Sequence, residues 1–476
     1  MVELTNKVSI LRLYDTESRT QKEVHPSQGN EITLYTCGPT VYNFAHIGNF
    51  RTYIFEDLLR RTMQLLGMRV KQVMNLTDVD DKTIKGALQQ DQTLAEYTKP
   101  YIEAFFSDLS TLGIEPVEFY PSATEYIPDM ICMIEELLKK NIAYVGDEGS
   151  VYFRIAAFPS YGRLSHLRVE DLQQGASKRV GDEYDKDEAC DFVLWKAYDP
   201  TRDGNIFWES PFGKGRPGWH IECSAMAVQL LGETIDIHVG GVDNMFPHHE
   251  NEIAQCEACT GKRFVRHWLH AEHLLVDHKK MSKSLGNFYT LRDLLQKGYT
   301  GQQIRYALLQ THYRTQLNFT FEVLEAAKAS IRRILDCKER LESITQEEGF
   351  GVLFGIVASL RDKFVEALCD DLNISLALSV LFDAIREIHS LCDQGKVSHQ
   401  EASQALSVLH ELDQVLGLFS LTPAEEIPVP LLEALDRRQK ARLEKDWKEA
   451  DRCRDFILSH GYKIEDSPQG PRLKKS

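Results

Sequence analysis

Two short strings in this sequence hold the residue types that polyphosphate chemistry needs. His46-Ile47-Gly48-Asn49 stands where a β-rich run gives way to a helical one. The open backbone N–H groups of a helix start, unshielded at Gly48, make a seat for phosphate. The imidazole of His46 and the carboxamide of Asn49 add polar atoms to that seat. Taken alone, the four residues equally describe an ordinary helix start. Lys280-Met281-Ser282-Lys283-Ser284, followed by Leu285-Gly286-Asn287, is a cationic, hydroxyl-rich loop. A lysine there can neutralise charge that grows on phosphate oxygens in a transition state. Alone, this string also describes a solvated basic turn. A third set has metal-ligand character: His248 and Glu252 are spaced i, i+4 in a helical stretch and share a face. With two thiols, such as those of Cys37 and Cys223, they would make a tetrahedral zinc shell. The residues themselves leave that assembly one among many, and His249 competes with His248. Cys256-Glu257-Ala258-Cys259 has no second CxxC nearby, and two such cysteines on a helix are expected as small buried apolar residues.

The elements that must carry these strings follow from the apolar pattern. Ile32–Cys37 reads as a strand, Gly48–Gly67 as a helix and Arg69–Met74 as a strand again, the rhythm of a βαβ unit in a parallel sheet. From Asn141 to Gly215 the rhythm breaks into Gly- and Asp-rich pieces with short β-like runs such as Ser150–Ile155, the texture of an insertion. The acidic run from Asp182 to Asp191 reads as a solvated loop within it. A strand at Thr234–Val239 and a helix at Pro247–Cys259 restore the α/β pattern. Beyond Asn287 the spacing is helical, with stretches at Thr320–Leu341, Val352–Cys369, Leu376–Cys392 and Ala402–Leu416. Three prolines between Leu421 and Pro430 mark a linker, followed by two charged helical stretches and a small strand at Tyr462–Glu465.

Length and composition bound the class. At 476 residues, 43% hydrophobic and 26% charged, the chain can bury more than one core. Ten cysteines are too sparse for a disulfide scaffold and suit a reducing compartment. No secretory signal opens the sequence, and no apolar run reaches the ~20 residues a bilayer demands. A cytoplasmic protein with no membrane contact is expected. The net charge of −16 argues against general nucleic-acid binding. From Leu431 onward, however, 12 Lys and Arg face 9 Asp and Glu, so the tail is mildly basic on an acidic body.

The pair His46–Asn49 and Lys280–Ser284 resembles the two signatures of class I aminoacyl-tRNA synthetases. Gly215-Arg-Pro-Gly-Trp-His-Ile-Glu-Cys-Ser-Ala-Met226 narrows the resemblance to the cysteinyl-tRNA synthetase family. Tyr35–Tyr42, Asn75–Lys82, Phe246–Ala254 and the tail around Glu465–Gly470 agree with it, so the likeness runs end to end. Two positions depart from the family pattern: Asn49 stands where the signature usually ends in His, and Val239 where Gly is usual.

The resemblance implies an α/β fold with a Rossmann-like parallel-sheet catalytic domain in two halves, 1–140 and 216–290. It implies an acceptor-end insertion at 141–215, a stem-contact region and helical tRNA-binding bundle at 291–420, a linker at 421–430 and an anticodon-binding domain at 431–476. It selects Cys37, Cys223, His248 and Glu252 as ligands of one Zn²⁺, and Thr77 and Trp219 as contacts to the amino acid. His46, Gly48, Asn49 and Lys283 are the implied ATP contacts, with Lys280 assisting Lys283 in catalysis. The implied reaction joins L-cysteine to Mg-ATP, giving cysteinyl-adenylate, and then to the 3′ end of tRNA(Cys), on a monomeric enzyme. Neither step demands a protein nucleophile, so positioning and electrostatics dominate. A pocket's shape separates near-isosteres such as cysteine and serine only ~10²-fold, which is the problem a thiol-reading metal solves. Two other functions share these motifs: a ligase joining cysteine to a small amine, and an idle tRNA-binding homologue. The long helical, partly basic region after Asn318 disfavours the first, and the presence of both loop lysines and all four donors disfavours the second.

Overall fold

The computed structural model describes residues 10–27, 29–167, 191–419, 429–443, 446–467 and 470–475. The chain opens with an antiparallel hairpin, β1 (Arg12–Asp15) and β2 (Thr20–Glu23). The expected βαβ unit follows as β3 (Glu31–Thr36), α1 (Ile47–Leu65) and β4 (Arg69–Met74). α2 (Asp81–Gln89), α3 (Leu94–Thr111) and α4 (Ile127–Lys139) then lead to the insertion. There β5 (Ala143–Val145), β6 (Val151–Phe153), β7 (Phe192–Ala197) and β8 (Gly215–Pro217) form an antiparallel sheet in that order. The acidic run ending at Asp191 falls almost wholly outside the described residues.

Past the insertion come α5 (Trp219–Leu231), β9 (Ile235–Gly241), α6 (Glu250–Thr260) and β10 (Val265–Ala271). β9 and β10 complete a parallel sheet in the order β10-β9-β3-β4. The reversal of chain direction across the sheet lies between β3 and β9, where α/β folds bind ligands beyond the carboxyl ends of their strands. Both central strands are largely buried on two faces, and β9 buries even Asp236 and His238. Val239 is fully buried, in the same core as Ile47, Phe50 and Ile54 of α1.

β11 (Leu274–Val276) and β12 (Lys279–Lys280) form a hairpin that carries the lysine loop. After α7 (Leu291–Gln296) and α8 (Gly301–Leu309), β13 (Leu317–Phe319) returns to pair in parallel with β11. This strand pair crosses the boundary drawn at residue 290. Four long helices follow: α9 (Phe321–Glu342), α10 (Val352–Cys369), α11 (Ile374–Asp393) and α12 (His399–Leu416). Their apolar faces join those of α1, β3 and β9 in one continuous core. The terminal piece, α13 (Val429–Leu443), α14 (Trp447–Ser459) and the hairpin β14 (Tyr462–Ser467) with β15 (Gly470–Lys475), has a small core of its own around Leu431, Ala434 and Ile457. Most of the 421–430 linker lies outside the described residues.

Buried polar ties fix α1, the helix that starts at the first signature. Arg51 donates to the carbonyl of Leu308 in the last turn of α8 and to those of Thr311, His312 and Thr315 between α8 and β13. Asp57 accepts from the fully buried Arg305 of α8 at 2.5 Å. Removing one partner of such a pair strands the other charge, at a cost of about 3–5 kcal/mol. A third tie closes the chain on itself. Asp371, between α10 and α11, accepts from Tyr14 N at 2.9 Å and Tyr313 Oη at 2.6 Å, while its own N–H donates to Arg12 O.

Candidate functional site

The four donors selected by the resemblance come from four different elements and meet at one point. Cys37 lies just beyond β3, Cys223 on α5, His248 in the turn after β9, and Glu252 on α6. One donor atom from each lies within 4.8 Å of the others. The spacing of His248 and Glu252 does what a helical i, i+4 pair should: Nε2 and Oε1 stand 3.0 Å apart. Gly38, directly after Cys37, passes so close to the Asn75 carbonyl that a Cβ would sit 1.7 Å from its oxygen. Only glycine lets the backbone there turn against β4's extension.

A layer of histidines that the motif reading did not single out surrounds this set. His238 Nε2 holds the second oxygen of Glu252 at 2.9 Å. His249 Nε2 lies 3.4 Å from the Cys37 thiol, and its Nδ1 meets His270, which in turn meets Thr16. His220 Nδ1 contacts His248 Nδ1 at 2.9 Å. Cys37, His238, His249 and Glu252 also qualify as a four-donor group, so the competition between His248 and His249 persists in three dimensions. The signal for His238 was its place, two residues after Asp236, in a strand otherwise made of apolar residues and glycine.

The electrostatics favour a cation. Burial would raise the Glu252 carboxyl, yet His238 and His248 outweigh it and bring it down to about 2. The Cys223 thiol is held below its usual value by the Cys37 thiol first, with His248 assisting. Burial keeps His220, His249 and His270 neutral, the last pulled down to about 3. Glu252 Oε1 is buried, with His248 Nε2 3.0 Å away. Two sulfurs, an imidazole nitrogen and a buried carboxylate oxygen suit zinc, whose four-coordinate sites take these donor types. Trp219, 36% exposed, stacks on His248 at 4.3 Å, walling the cluster. Cys256 stays out of it: its buried thiol contacts the Ser224 carbonyl.

The two phosphate strings also meet. Ile47 N–H donates to Tyr289 O at 3.0 Å, and His46 bridges to Thr290, laying the first signature along the segment after the lysine loop. A Cβ at Gly48 would touch Met281 Cε at 3.4 Å. His46 is the N-cap of α1; its Nδ1 accepts from Asn49 N–H while Asn49 Oδ1 accepts from His46 N–H. Burial lowers the imidazole's pKa. A neutral ring accepting at Nδ1 carries its proton on Nε2, which becomes the outward donor. Lys280 is exposed on β12, and Ser282 N–H is tied to Asn287 Oδ1 at 2.8 Å. The Lys283 side chain lies outside the described residues.

Thr77 is buried, its hydroxyl accepting from the Asn75 amide at 3.1 Å, and its backbone pairs with Pro39 and Val41. It does not cap a helix; Asp80 caps α2, while Asp78 holds Thr124 and Asp81 pairs with Lys196 and Arg216. The three aspartates therefore serve capping and pairing.

Known proteins resemble the chain along nearly its whole length. The family described as tRNA synthetases class I (C) catalytic domain matches residues 23–329, and the DALR domain family matches 363–420. The chain is 62% identical to the cysteine–tRNA ligase of Protochlamydia amoebophila over 467 residues, 98% of each protein. It is 55% identical to that of Chlamydia muridarum, covering 98% of this chain and 99% of the relative. In fold it is similar to a methionyl-tRNA synthetase of Mycobacterium tuberculosis in complex with methionyl-adenylate, with a TM-score of 0.58 at 13% identity over 82% of this chain and 90% of that one. A putative arginyl-tRNA synthetase from Campylobacter jejuni gives a TM-score of 0.54 at 15% identity, over 83% and 93% of the two chains.

Proposed function

Because the chain belongs to the cysteine–tRNA ligase family of class I tRNA synthetases, we propose that its four-donor cluster holds a zinc ion and that its two signatures hold ATP. The reaction is ATP-dependent activation of L-cysteine, followed by transfer to tRNA(Cys). The observation that carries the metal reading is the convergence of Cys37, Cys223, His248 and Glu252. A zinc ion there supplies a soft Lewis acid that takes a thiolate far more readily than a hydroxyl, and so separates cysteine from serine.

The chain's own residues do the rest by positioning. Trp219, stacked on His248, closes one side of the amino-acid pocket, and Thr77 anchors the loop that follows Cys37. His46 presents its Nε2 proton, and Gly48 an unshielded backbone, to the phosphates of Mg-ATP. Asn49 spends its Oδ1 on the cap and offers Nδ2 as a donor. Lys283, with Lys280, neutralises charge that develops as pyrophosphate leaves. The cysteine carboxylate is itself the nucleophile at the α-phosphate, so the protein needs no base at that step.

On this reading the insertion meets the acceptor end, the bundle and the stretch from 431 meet the rest of the tRNA, and the enzyme is a cytoplasmic monomer. Among the described residues no helix is long and apolar enough to cross a membrane. The test is metal analysis together with cysteine-dependent pyrophosphate exchange and tRNA charging. One zinc per chain is expected, and Cys223→Ser should lower zinc content and raise the cysteine KM at least tenfold while ATP binding persists. Full zinc occupancy and an unchanged cysteine KM in that variant would remove Cys223 from the site.

A further inference from the structure

We propose that Tyr42 and Phe44 form a stacking platform for the unpaired 3′ end of the tRNA. The inference rests on the synthetase reading and adds to it the residues that receive the acceptor end at the reaction centre. Both aromatics lie in the short link between the donor Cys37 and the phosphate seat at His46. On that reading the hydroxyl that is acylated arrives between those two points, and this link is the stretch of chain that joins them.

Aromatic side chains in a catalytic fold normally contribute to the core, as Tyr35, Phe50 and Tyr53 do here. Tyr42 and Phe44 instead remain 36% and 39% exposed. They are nevertheless held firmly. Phe44 packs edge-on against Tyr101 of α3 at 5.4 Å, Tyr101 meets Tyr97 at 5.5 Å, and Tyr97 Oη donates to the Tyr42 carbonyl at 3.0 Å. The neighbouring Val41 N–H is bonded to Thr77 O. A preset surface spends no ordering entropy when a ligand lands.

Each ring also carries a cation. The Arg292 guanidinium lies 4.7 Å over Phe44 and is itself fixed by Asp108 at 2.7 Å. Lys82 Nζ lies 5.3 Å over Tyr42. Arg292 shares its charge with Asp108, which leaves Lys82 beside the exposed Tyr42 ring as the cation offered to a phosphate. Paired aromatic and cationic groups are what single-stranded nucleic acid demands: rings for the bases, cations for the phosphates. A peptide or lipid would have no reason to reach this point in the catalytic cycle; the 3′ end must.

The test uses the full chain with Phe44→Leu and Tyr42→Leu, and Phe44→Tyr and Tyr42→Phe as ring-keeping controls. Cysteine-dependent pyrophosphate exchange, which needs no tRNA, should stay within about twofold, while kcat/KM for tRNA charging should fall about tenfold or more, the order of one lost base stack. The ring-keeping variants should restore charging. Against tRNA trimmed of its unpaired 3′ nucleotides, the Leu variants should bind as well as the parent. Undiminished charging in both Leu variants would overturn the proposal, as would an equal fall in exchange and charging, or an equal binding loss with trimmed tRNA. Absence of exchange in the unmodified protein would instead overturn the synthetase reading beneath it.

Discussion

His46 and Asn49 cap one another, with the Asn49 N–H on His46 Nδ1 at 3.2 Å and the Asn49 Oδ1 on the His46 N–H at 3.1 Å. The exchange fixes both the start of α1 and the face of the imidazole that looks outward. An asparagine at this position thus trades one potential cation for a rigid cap.

Asn49→Asp keeps the cap acceptor but puts a carboxylate where the proposed function brings phosphates. Its stability should stay within about 0.5 kcal/mol of the parent, since a carboxylate at this third helical position can accept the same His46 N–H, while pyrophosphate exchange falls at least tenfold through a higher ATP KM. Asn49→Ala should cost about 1 kcal/mol of stability in denaturant unfolding, the usual size of one lost hydrogen bond. Equal ATP KM values for the parent and Asn49→Asp would refute the phosphate role.

Lys283→Ala should slow single-turnover adenylate formation on the order of 100-fold and change ATP affinity little. In the proposed function its charge meets oxygens that become more negative only as the reaction proceeds, so the loss belongs in the rate. An unchanged adenylation rate with weakened ATP binding would reassign the lysine to ground-state binding.

Glu56 gives a pH prediction. It is buried on α1, and neither carboxylate oxygen has a hydrogen bond among the described residues. Burial pushes its pKa well above the ordinary carboxylate range. The folded state therefore holds the proton more tightly than the unfolded chain, and stability falls as pH rises above about 4.5 toward the folded value. Glu56→Gln mimics the protonated acid. It should stabilise the protein by about 1–3 kcal/mol near pH 8, with the gain shrinking as pH falls toward 5 in denaturant titrations. A gain independent of pH would mean that Glu56 ionises as freely folded as unfolded.

Truncation after Ile427 should leave cysteine-dependent pyrophosphate exchange nearly intact. The terminal piece has its own core around Leu431, Ala434 and Ile457, so its removal opens none of the main core. Charging should drop sharply through a raised tRNA KM, and the salt dependence of tRNA binding should flatten as phosphate contacts are lost. Charging at the full rate would reduce the tail to a structural appendage.

The strands and helices that carry the signatures were legible because each buries a periodic apolar face: α1 runs Ile47–Leu65 against an expected Gly48–Gly67. The four sulfur, nitrogen and oxygen donors were legible as residue types, but their meeting depends on strand order, which periodicity does not encode. His238 and His270 were missed for the same reason; they become neighbours only when β9 and β10 pair in register. β13 was missed because three residues are too few to show alternation. Tyr462–Glu465 was expected as a lone strand, and its partner beyond Gly470 hid among basic residues.

The tie from Asp371 to Tyr14 spans 357 residues of chain. A ribosome adding ~5–20 residues per second needs ~20–70 s to make the second partner after the first has emerged. Through that interval the opening hairpin can already dock on β10, where Thr16 N–H donates to Trp268 O and Trp268 N–H to Asp15 Oδ1, but its bond to the α10–α11 turn has no partner. The N-terminal hairpin is therefore secured in two stages during this protein's birth, and a nascent chain halted between residues 271 and 371 should protect Arg12–Glu23 from protease less well than the full chain does.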